Sequence, residues 1–499
     1  MSARRAAPNI VGFCAALLDT DNTGADPVEL ARQVEWLLAR FSPAPRAGIR
    51  AGFATIDATA VATTGKRMSA LDAAGRSRVL DKVVANPTTA TLVDLLKVPV
   101  LLAAGANASS DGLRSSASTT PPARPDADLA VTPSAQWPSC SVADVVVIGS
   151  GAGGAVAART LARAGLRTVI LEEGRRWGVQ EFREKRALDR FVGLYRDGGS
   201  MTALGRPPVI LPVGRAVGGT TVINSGTCYR TPDKVLRKWR DNAGLQLADP
   251  QTFAPWLTEV ERMLQVAPVP MDVMGNNGKL ALAGAQALGW KNHPLARNAP
   301  GCVGSCQCAI GCPQNAKVGV HLNALPDACA AGATIVSDAR VLRVTHAGGK
   351  ATGVLARRPD GTTFEILADR VVVAAGTTET PPLLRRSGLG RHRQLGRNLY
   401  LHPAVSIAGR FEQPVVAWEG VLQSAGIDER HDSDGILIEA TSTPPGMGTM
   451  LLPGHGAELV AELDAADHLA SIGAMIADEP SGRVLGRNQS VQTYNLSRA

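Results

Sequence analysis

The stretch from Ala143 to Gly174 constrains this chain more than any other. It sets a strand, a glycine-rich turn, a helix, a second strand and an acid in one order. Asp144 to Ile148 is an uninterrupted run rich in β-branched residues, the pattern of a parallel strand covered by helices on both faces. Gly149, Gly151 and Gly154 follow with the spacing G-x-G-x-x-G. The first permits a tight turn, the second lets a pyrophosphate approach the backbone, and the third lets the next helix pack close to the strand. Ala155 to Ala164 favours a helix whose free N–H groups would face those phosphates, and Gly165 ends it. Thr168 to Leu171 is a second apolar strand. It delivers Glu172, eighteen residues after Gly154, where a carboxylate can bind a ribose 2′-hydroxyl. The pattern predicts a dinucleotide site. It does not separate FAD from NAD, because both present the same adenosine diphosphate half.

A chain of 499 residues has room for roughly two or three domains and a sizeable core. An apolar content of 45% and a mean hydropathy near zero fit a soluble globular protein. The net charge of +8 comes from scattered arginines with no Lys/Arg block, and aromatics at 4% leave little for base stacking, so no nucleic acid partner is expected. Ile10 to Leu18 is too short for an export signal and ends at Asp19 without a small-residue cleavage site. Leu95 to Ala108 is too short for a membrane span and is broken by Lys97 and Pro99. Eight cysteines without an export signal read as reduced thiols of a cytoplasmic protein.

Residues 1–106 read as a helical extension. Asp26-Pro27-Val28-Glu29 combines an N-cap, a proline at the first helical position and a capping-box glutamate. Leu30, Val34, Leu37, Leu38 and Phe41 then form one apolar stripe, with a stop at Ser42-Pro43, and a further helix is expected from Ser69 to Ala85 with a stop at Asn86-Pro87. Residues 107–140 are rich in Ser, Thr, Pro, Ala and Asp and read as a linker, which would leave the extension mobile relative to the core.

Beyond Gly174, Gly218-Gly219-Thr220-Thr221 leads to Asn224. The backbone of such a loop can lie against a flat or anionic ligand while Thr and Asn side chains hydrogen-bond it; a plain turn before a strand is the alternative. Thr231 to Arg240 and Pro255 to Val266 read as helices, the second with Trp256, Val260 and Met263/Leu264 on one face. Cys302, Cys306, Cys308 and Cys312 could hold zinc or an iron–sulfur cluster. One residue between Cys306 and Cys308 makes a poor chelate for a tetrahedral ion, so the expectation is a tight glycine-rich loop of packed thiols and no metal. Lys350 to Val354 and Thr363 to Leu367 look like hairpin strands. Arg370 to Gly376 reads as a second buried parallel strand that reaches the same ligand edge as Gly149.

The run from Gly376 to Gly390, with Thr380-Pro381, Leu383-Leu384 and Ser387-Gly388-Leu389-Gly390, resembles the second signature of the glucose–methanol–choline oxidoreductases. The Gly149 to Gly174 core and the Gly218 to Asn224 loop fall in that family's order. Cys308-x3-Cys312-Pro313-x3-Lys317 and the helical extension are most similar to its long-chain alcohol oxidase branch. The resemblance covers about residues 141–499 and implies an α/β fold. In it a Rossmann-like FAD-binding domain with inserted segments spans 141–397, and an antiparallel substrate-binding domain spans 398–499. It implies FAD rather than NAD, and oxidation of an alcohol CH–OH group by hydride transfer to the flavin. Gly149, Gly151, Gly154 and Glu172 would take the adenosine diphosphate half. Gly218, Gly219, Thr220 and Asn224 would lie along the pyrophosphate and near the flavin ring, the backbone at Val341 would meet the adenine, and Gly376 would close the same edge. The branch implies a lipophilic alcohol collected by peripheral contact with a membrane surface, and O2 or another carrier as electron acceptor.

Gly435 to Ala440 is strand-like, and residues 483–486 with 491–496 suggest a hairpin closing the substrate domain. The family's catalytic histidine falls beyond Ala499, so no catalytic residue is assigned and His402 reads as structural. On the resemblance the chain is expected to be C-terminally truncated, to bind flavin poorly and to turn over very slowly. The alternative is an inactive flavin-binding fragment or one half of a split enzyme.

Overall fold

Val145 to Ile148 offer water no polar side chain, and all four are buried in the computed structural model, which describes residues 6–117 and 122–497. They run through a five-stranded sheet ordered Val131–Pro133, Thr334–Ser337, Thr168–Leu171, Val145–Ile148, Arg370–Val373. Every pairing in it is parallel. Val373 stands opposite Ile148, so the turn at Gly149 and the turn before Gly376 leave the sheet at one edge, as the two apolar runs predict. The helix after the first strand, Ala152–Arg163, begins inside the glycine loop with Gly151 as its N-cap, earlier than the predicted Ala155. It buries Ala155, Ala158 and Ala162 against the sheet and the helix Ala324–Ala330. The expected hairpin of Lys350–Arg357 and Thr363–Leu367 forms, flanked by Arg340–Ala347 on one side and Cys140–Val142 on the other. Its Phe364 and Ile366 pack beneath the parallel sheet.

Helices Pro8–Leu17, Pro27–Leu38, Pro43–Thr64, Ala73–Val84 and Pro87–Ala117 form the N-terminal layer. The Asp26 carboxylate accepts hydrogen bonds from the N–H groups of Val28 and Glu29, and Leu30, Val34, Leu37 and Leu38 are buried as their spacing predicts. The short apolar run at Ile10 is a core helix of this layer. The helix Ala73–Val84 ends before Asn86-Pro87, as expected, and the chain turns at once into another helix. Proline is well placed at a first helical position, so the next helix starts there.

That helix runs past the boundary drawn at residue 106. Part of the segment read as a linker supplies strands to both sheets, Val131–Pro133 and Cys140–Val142. Composition gave no hint, because a strand of three residues at a sheet edge needs few large apolar side chains. Nor does the layer stand apart. The Lys97 ammonium, 3% exposed, donates to the carbonyls of Leu452 and Gly454 at 2.9 and 2.7 Å, and Leu459 enters the helical core.

The C-terminal part is built on an antiparallel sheet of Ala404–Arg410, Leu469–Ile476, Ile436–Thr441 and Gln423–Ile427, with Asn292–Pro294 beside the last. The hairpin Gly482–Leu485 and Val491–Thr493 forms but does not close this sheet. It pairs instead with Arg397–Leu399 and Thr202–Leu204, because Tyr494 buries its ring among Met201, Ala203 and Leu211. No helix among the described residues is long and apolar enough to cross a membrane.

Candidate functional site

Three glycines of the first loop meet three different surroundings. A Cβ on Gly149, whose φ is +100°, would stand 2.3 Å from the Ala374 carbonyl oxygen, and one on Gly154 would stand 1.9 Å from the Gly149 oxygen. These two serve the turn and the helix packing. A Cβ on Gly151 would meet nothing closer than the Gly219 Cα at 3.9 Å, and one on Gly153 nothing within 4 Å. The helix N-terminus therefore faces open space at the place where the sequence pattern puts a pyrophosphate.

Glu172 stands at the end of its strand, 7% exposed, with both oxygens engaged. Oε2 accepts from the Ser150 N–H at 3.0 Å and the Ser150 hydroxyl at 2.6 Å, and Oε1 accepts from the Gly174 N–H at 2.8 Å. Burial pushes this carboxyl up from its usual range, and the three hydrogen bonds oppose the shift. A carboxylate offers about four acceptor positions, so one remains for a ligand. The Ser150 hydroxyl in turn accepts the Gly218 N–H at 3.0 Å and ties the first loop to the second. Sequence reasoning missed Ser150; its only signal is its place between Gly149 and Gly151. It also missed Glu173, which pairs with Arg196 at 2.8 Å, Arg340 at 3.4 Å and Arg215 at 3.8 Å. Burial works against its charge, but the three arginines prevail and carry the carboxyl down to about 2.

Gly149, Gly151, Glu172, Gly219, Thr220, Val341 and Gly376 line one cavity of about 310 Å³. Asn224 lines a second, of about 910 Å³, and Ala152, Gly153 and Thr221 belong to both. The walls of the second are largely aliphatic, including Val156, Leu161, Val260, Leu264 and Val320. Val260 and Leu264 come from Pro250–Leu264, a helix that buries no residue fully and leaves Trp256 61% exposed. Gly154 and Gly218 line neither cavity. Gly218 has a φ of +101° and packs against Val222 and His321, so its role is in the turn. His402 is exposed, and His455 faces Asp81 in the helical layer; neither lines the two cavities.

Behind Asn224 lies Lys317, 2% exposed, whose ammonium donates to the Asn224 carbonyl at 2.7 Å, to its Oδ1 at 3.1 Å and to the Thr221 carbonyl at 3.2 Å. Burial lowers the ammonium to about 8. Burial likewise holds His321 down to about 4, helped by Lys317. The cysteine loop is next. All eight cysteines of the chain are free thiols, and among the described residues no three His, Cys, Asp or Glu side chains converge on a point where a single metal ion could sit.

Comparison with known proteins agrees with this geometry. A family model described as FAD binding domain matches residues 144–182, and one described as GMC oxidoreductase matches residues 191–404. An uncharacterized GMC-type oxidoreductase of Mycobacterium tuberculosis is 55% identical over 490 residues, covering 98% of this chain and 78% of that one. A long-chain-alcohol oxidase of Arabidopsis thaliana is 30% identical over 366 residues, 68% of this chain and 48% of its own length. Among solved structures, formate oxidase of Aspergillus oryzae superposes with a TM-score of 0.54 at 17% identity, over 72% of this chain and 78% of that one. Pyridoxine 4-oxidase superposes with a TM-score of 0.53 at 17% identity, over 70% and 75%.

Proposed function

The chain belongs to the GMC oxidoreductases and binds FAD, and on that footing we propose that it oxidises the CH–OH group of a lipophilic alcohol. What carries the reading is the pair of cavities joined across Ala152, Gly153 and Thr221. The smaller has polar and charged walls suited to the adenosine diphosphate half. The larger is aliphatic apart from a few groups such as Asn224, as a site for a flavin ring and an alkyl substrate should be. The likeness to a plant long-chain-alcohol oxidase supports the same substrate class.

In this reading the open space at Gly151 and the helix N-terminus receive the pyrophosphate, and the free acceptor position of Glu172 receives a ribose hydroxyl. The backbone at Val341 and the turn at Gly376 border the adenine end. Bound there, FAD supplies the hydride-accepting chemistry. Lys317 fixes the Asn224 main chain and Oδ1, which leaves the Asn224 Nδ2 to donate toward the larger cavity and orient a carbonyl or hydroxyl oxygen. The aliphatic walls exclude water from the carbinol carbon.

The test is a dye-coupled assay of primary alcohols from short to long chain, run on protein whose denatured supernatant is first checked for FAD. Rising kcat/KM with chain length is expected. Selectivity for a polar sugar alcohol would reject the lipophilic reading.

A further inference from the structure

Arginines that are scattered along the sequence gather on one face of the fold. The sheet that carries the hairpin Gly482–Leu485 and Val491–Thr493 has five strands, with Arg397–Leu399 on one side of the hairpin and Thr202–Leu204 and Val209–Ile210 on the other. Not one of the five contains an aspartate or a glutamate. The register sorts their side chains into two sets. Ala203, Val484, Gln492 and Tyr494 are buried on the inner side. Arg397 stands opposite Arg483, Leu485 opposite Val491, Arg483 and Leu204 opposite Thr493, and Thr202 opposite Ile210, so all of these share the outer side. Leu204 and Ile210 are 57% and 59% exposed there, and Leu485 and Val491 are 42% and 39% exposed.

The charge around this side has one sign. From Thr380 to Phe411 the chain has six arginines and no acid, and from Pro480 to Ala499 it has three arginines and no acid. Arg206, Arg397, Arg483 and Arg487 are exposed, and none of them forms an ion pair among the described residues. Like charges directly opposite on neighbouring strands repel, so Arg397 across from Arg483 costs stability that a carboxylate in either place would restore. Close by, Arg385 donates to the carbonyls of Leu395, Val484 and Gly486 at 3.0, 2.9 and 2.9 Å, and Arg386 donates to that of Arg487 at 3.0 Å. The hairpin turn and the approach to Arg397 are thus fastened by further cations with no counter-charge. An arginine face held in this way, with aliphatic side chains between, complements a surface that is anionic and apolar at once.

We propose that the outer side of this sheet docks on an anionic phospholipid surface, with Leu204, Ile210, Leu485 and Val491 reaching the acyl boundary while Arg397 and Arg483 meet the phosphates. Guanidinium forks match phosphate oxygens two at a time. Aliphatic burial together with attraction of basic residues is what holds a peripheral protein on such a surface. A second copy of the chain would set arginine against arginine. A protein partner calls for aromatic anchors, and the outer side of the five strands has none. Docking brings the enzyme to the phase in which a lipophilic alcohol is concentrated. That last step rests on the function proposed above; the surface itself does not.

The test is co-sedimentation of the FAD-loaded full chain with sucrose-filled vesicles, made either of phosphatidylcholine alone or of phosphatidylcholine and phosphatidylserine in a three-to-one ratio. Pelleting with the second kind, reversed by high salt, is expected. Binding should fall about fivefold for each arginine removed, so Arg397→Gln/Arg483→Gln should be weaker by roughly tenfold or more. Leu204→Asn/Leu485→Asn should weaken it as well. Because the arginine variant removes a repulsion, it should melt at no lower temperature than wild type, which keeps lost binding distinct from lost folding. A chain that ignores the phosphatidylserine vesicles overturns the proposal, and its retention on immobilised polyglutamate would then assign the face to an acidic protein. Equal binding to both kinds of vesicle, or undiminished binding of the arginine variant, overturns the role of this face. A long-chain alcohol carried in the vesicles should be oxidised faster by wild type than by the arginine variant, with equal rates on a short soluble alcohol; equal rates on both overturn the delivery step. A chain that binds the vesicles but oxidises no alcohol overturns the proposed function and leaves the docking surface standing.

Discussion

The Ser150 hydroxyl accepts the Gly218 N–H at 3.0 Å and gives its own proton to Glu172 at 2.6 Å, so one small side chain fastens two loops 68 residues apart to the end of a buried strand. In Ser150→Ala the Gly218 N–H loses its acceptor and Glu172 loses one of its three donors. Unpaired buried groups of this kind cost about 1–3 kcal/mol. We expect a loss of that size in denaturant unfolding of the apoprotein, together with weaker FAD binding in a fluorescence titration. Unchanged values for both would show that the loops are held by other contacts.

Gly151→Ala and Gly154→Ala separate ligand approach from packing. At Gly151 the added methyl meets no chain atom within 3.9 Å and the φ of −69° suits alanine, so the apoprotein should keep its stability and bind FAD at least tenfold more weakly. At Gly154 the methyl would stand 1.9 Å from the Gly149 oxygen, and the protein should fail to accumulate in folded form. Thermal unfolding and FAD titration of the two variants decide the matter. Equal FAD affinity in Gly151→Ala and wild type would place the pyrophosphate elsewhere.

Glu172→Ala should weaken FAD binding by about 1.5–3 kcal/mol through loss of a charge-assisted ribose hydrogen bond. Because the carboxylate also carries the N–H groups of Ser150 and Gly174, the same variant should unfold more easily without any ligand. The sequence pattern alone did not predict that second effect. A destabilised apoprotein with undiminished FAD affinity would make Glu172 a loop anchor only.

Lys97→Ala should loosen the helical layer. The ammonium is the chain's hold on the carbonyls of Leu452 and Gly454, and leaving both unpaired is expected to cost roughly 1–3 kcal/mol. Limited proteolysis near residue 454 should speed up markedly, while bound FAD stays constant. Unchanged cleavage would mean that the apolar contacts around Leu459 suffice.

Acid should unfold the protein in two overlapping stages. His321 titrates near 4 in the folded chain and near 6.5 when unfolded, so its neutral state contributes stability that is full above pH 6.5 and is lost as pH falls toward 4. Glu173 titrates near 2 folded and 4.5 unfolded, so its contribution is full above pH 4.5 and is lost as pH falls toward 2. Each is worth on the order of 3 kcal/mol. Urea unfolding from pH 7 to pH 3 should show the decline, and His321→Phe should flatten its upper part. A flat profile above pH 4.5 in the wild type would contradict the assignment to His321.

What could be read from the sequence were the places where one residue type answers one local demand. The glycine spacing, the all-aliphatic strands and the Asp26 cap each follow from backbone geometry within a few residues, and each is where it was expected. The rest depends on partners far along the chain. Val131–Pro133 is a strand only because Thr334–Ser337 lies beside it, and Gly482–Leu485 pairs with Arg397–Leu399 because Tyr494 finds its pocket near Met201. The contacts of Ser150, Glu173 and Lys317 likewise join segments that no periodicity connects.

The order of strands in the parallel sheet also sets a timetable for synthesis. Val145–Ile148 and Thr168–Leu171 leave the ribosome together, yet their outer neighbours, Thr334–Ser337 and Arg370–Val373, come only after the long stretch between has been made. At about 5–20 residues per second that is a wait of roughly ten seconds or more, during which two aliphatic strands have unpaired edges. A nascent chain in that state is a ready client for chaperones that bind extended apolar segments, and a ready seed for aggregation when they are saturated. Slower, cooler expression should therefore raise the soluble yield of this protein more than it does for a domain whose sheet neighbours are also neighbours in sequence.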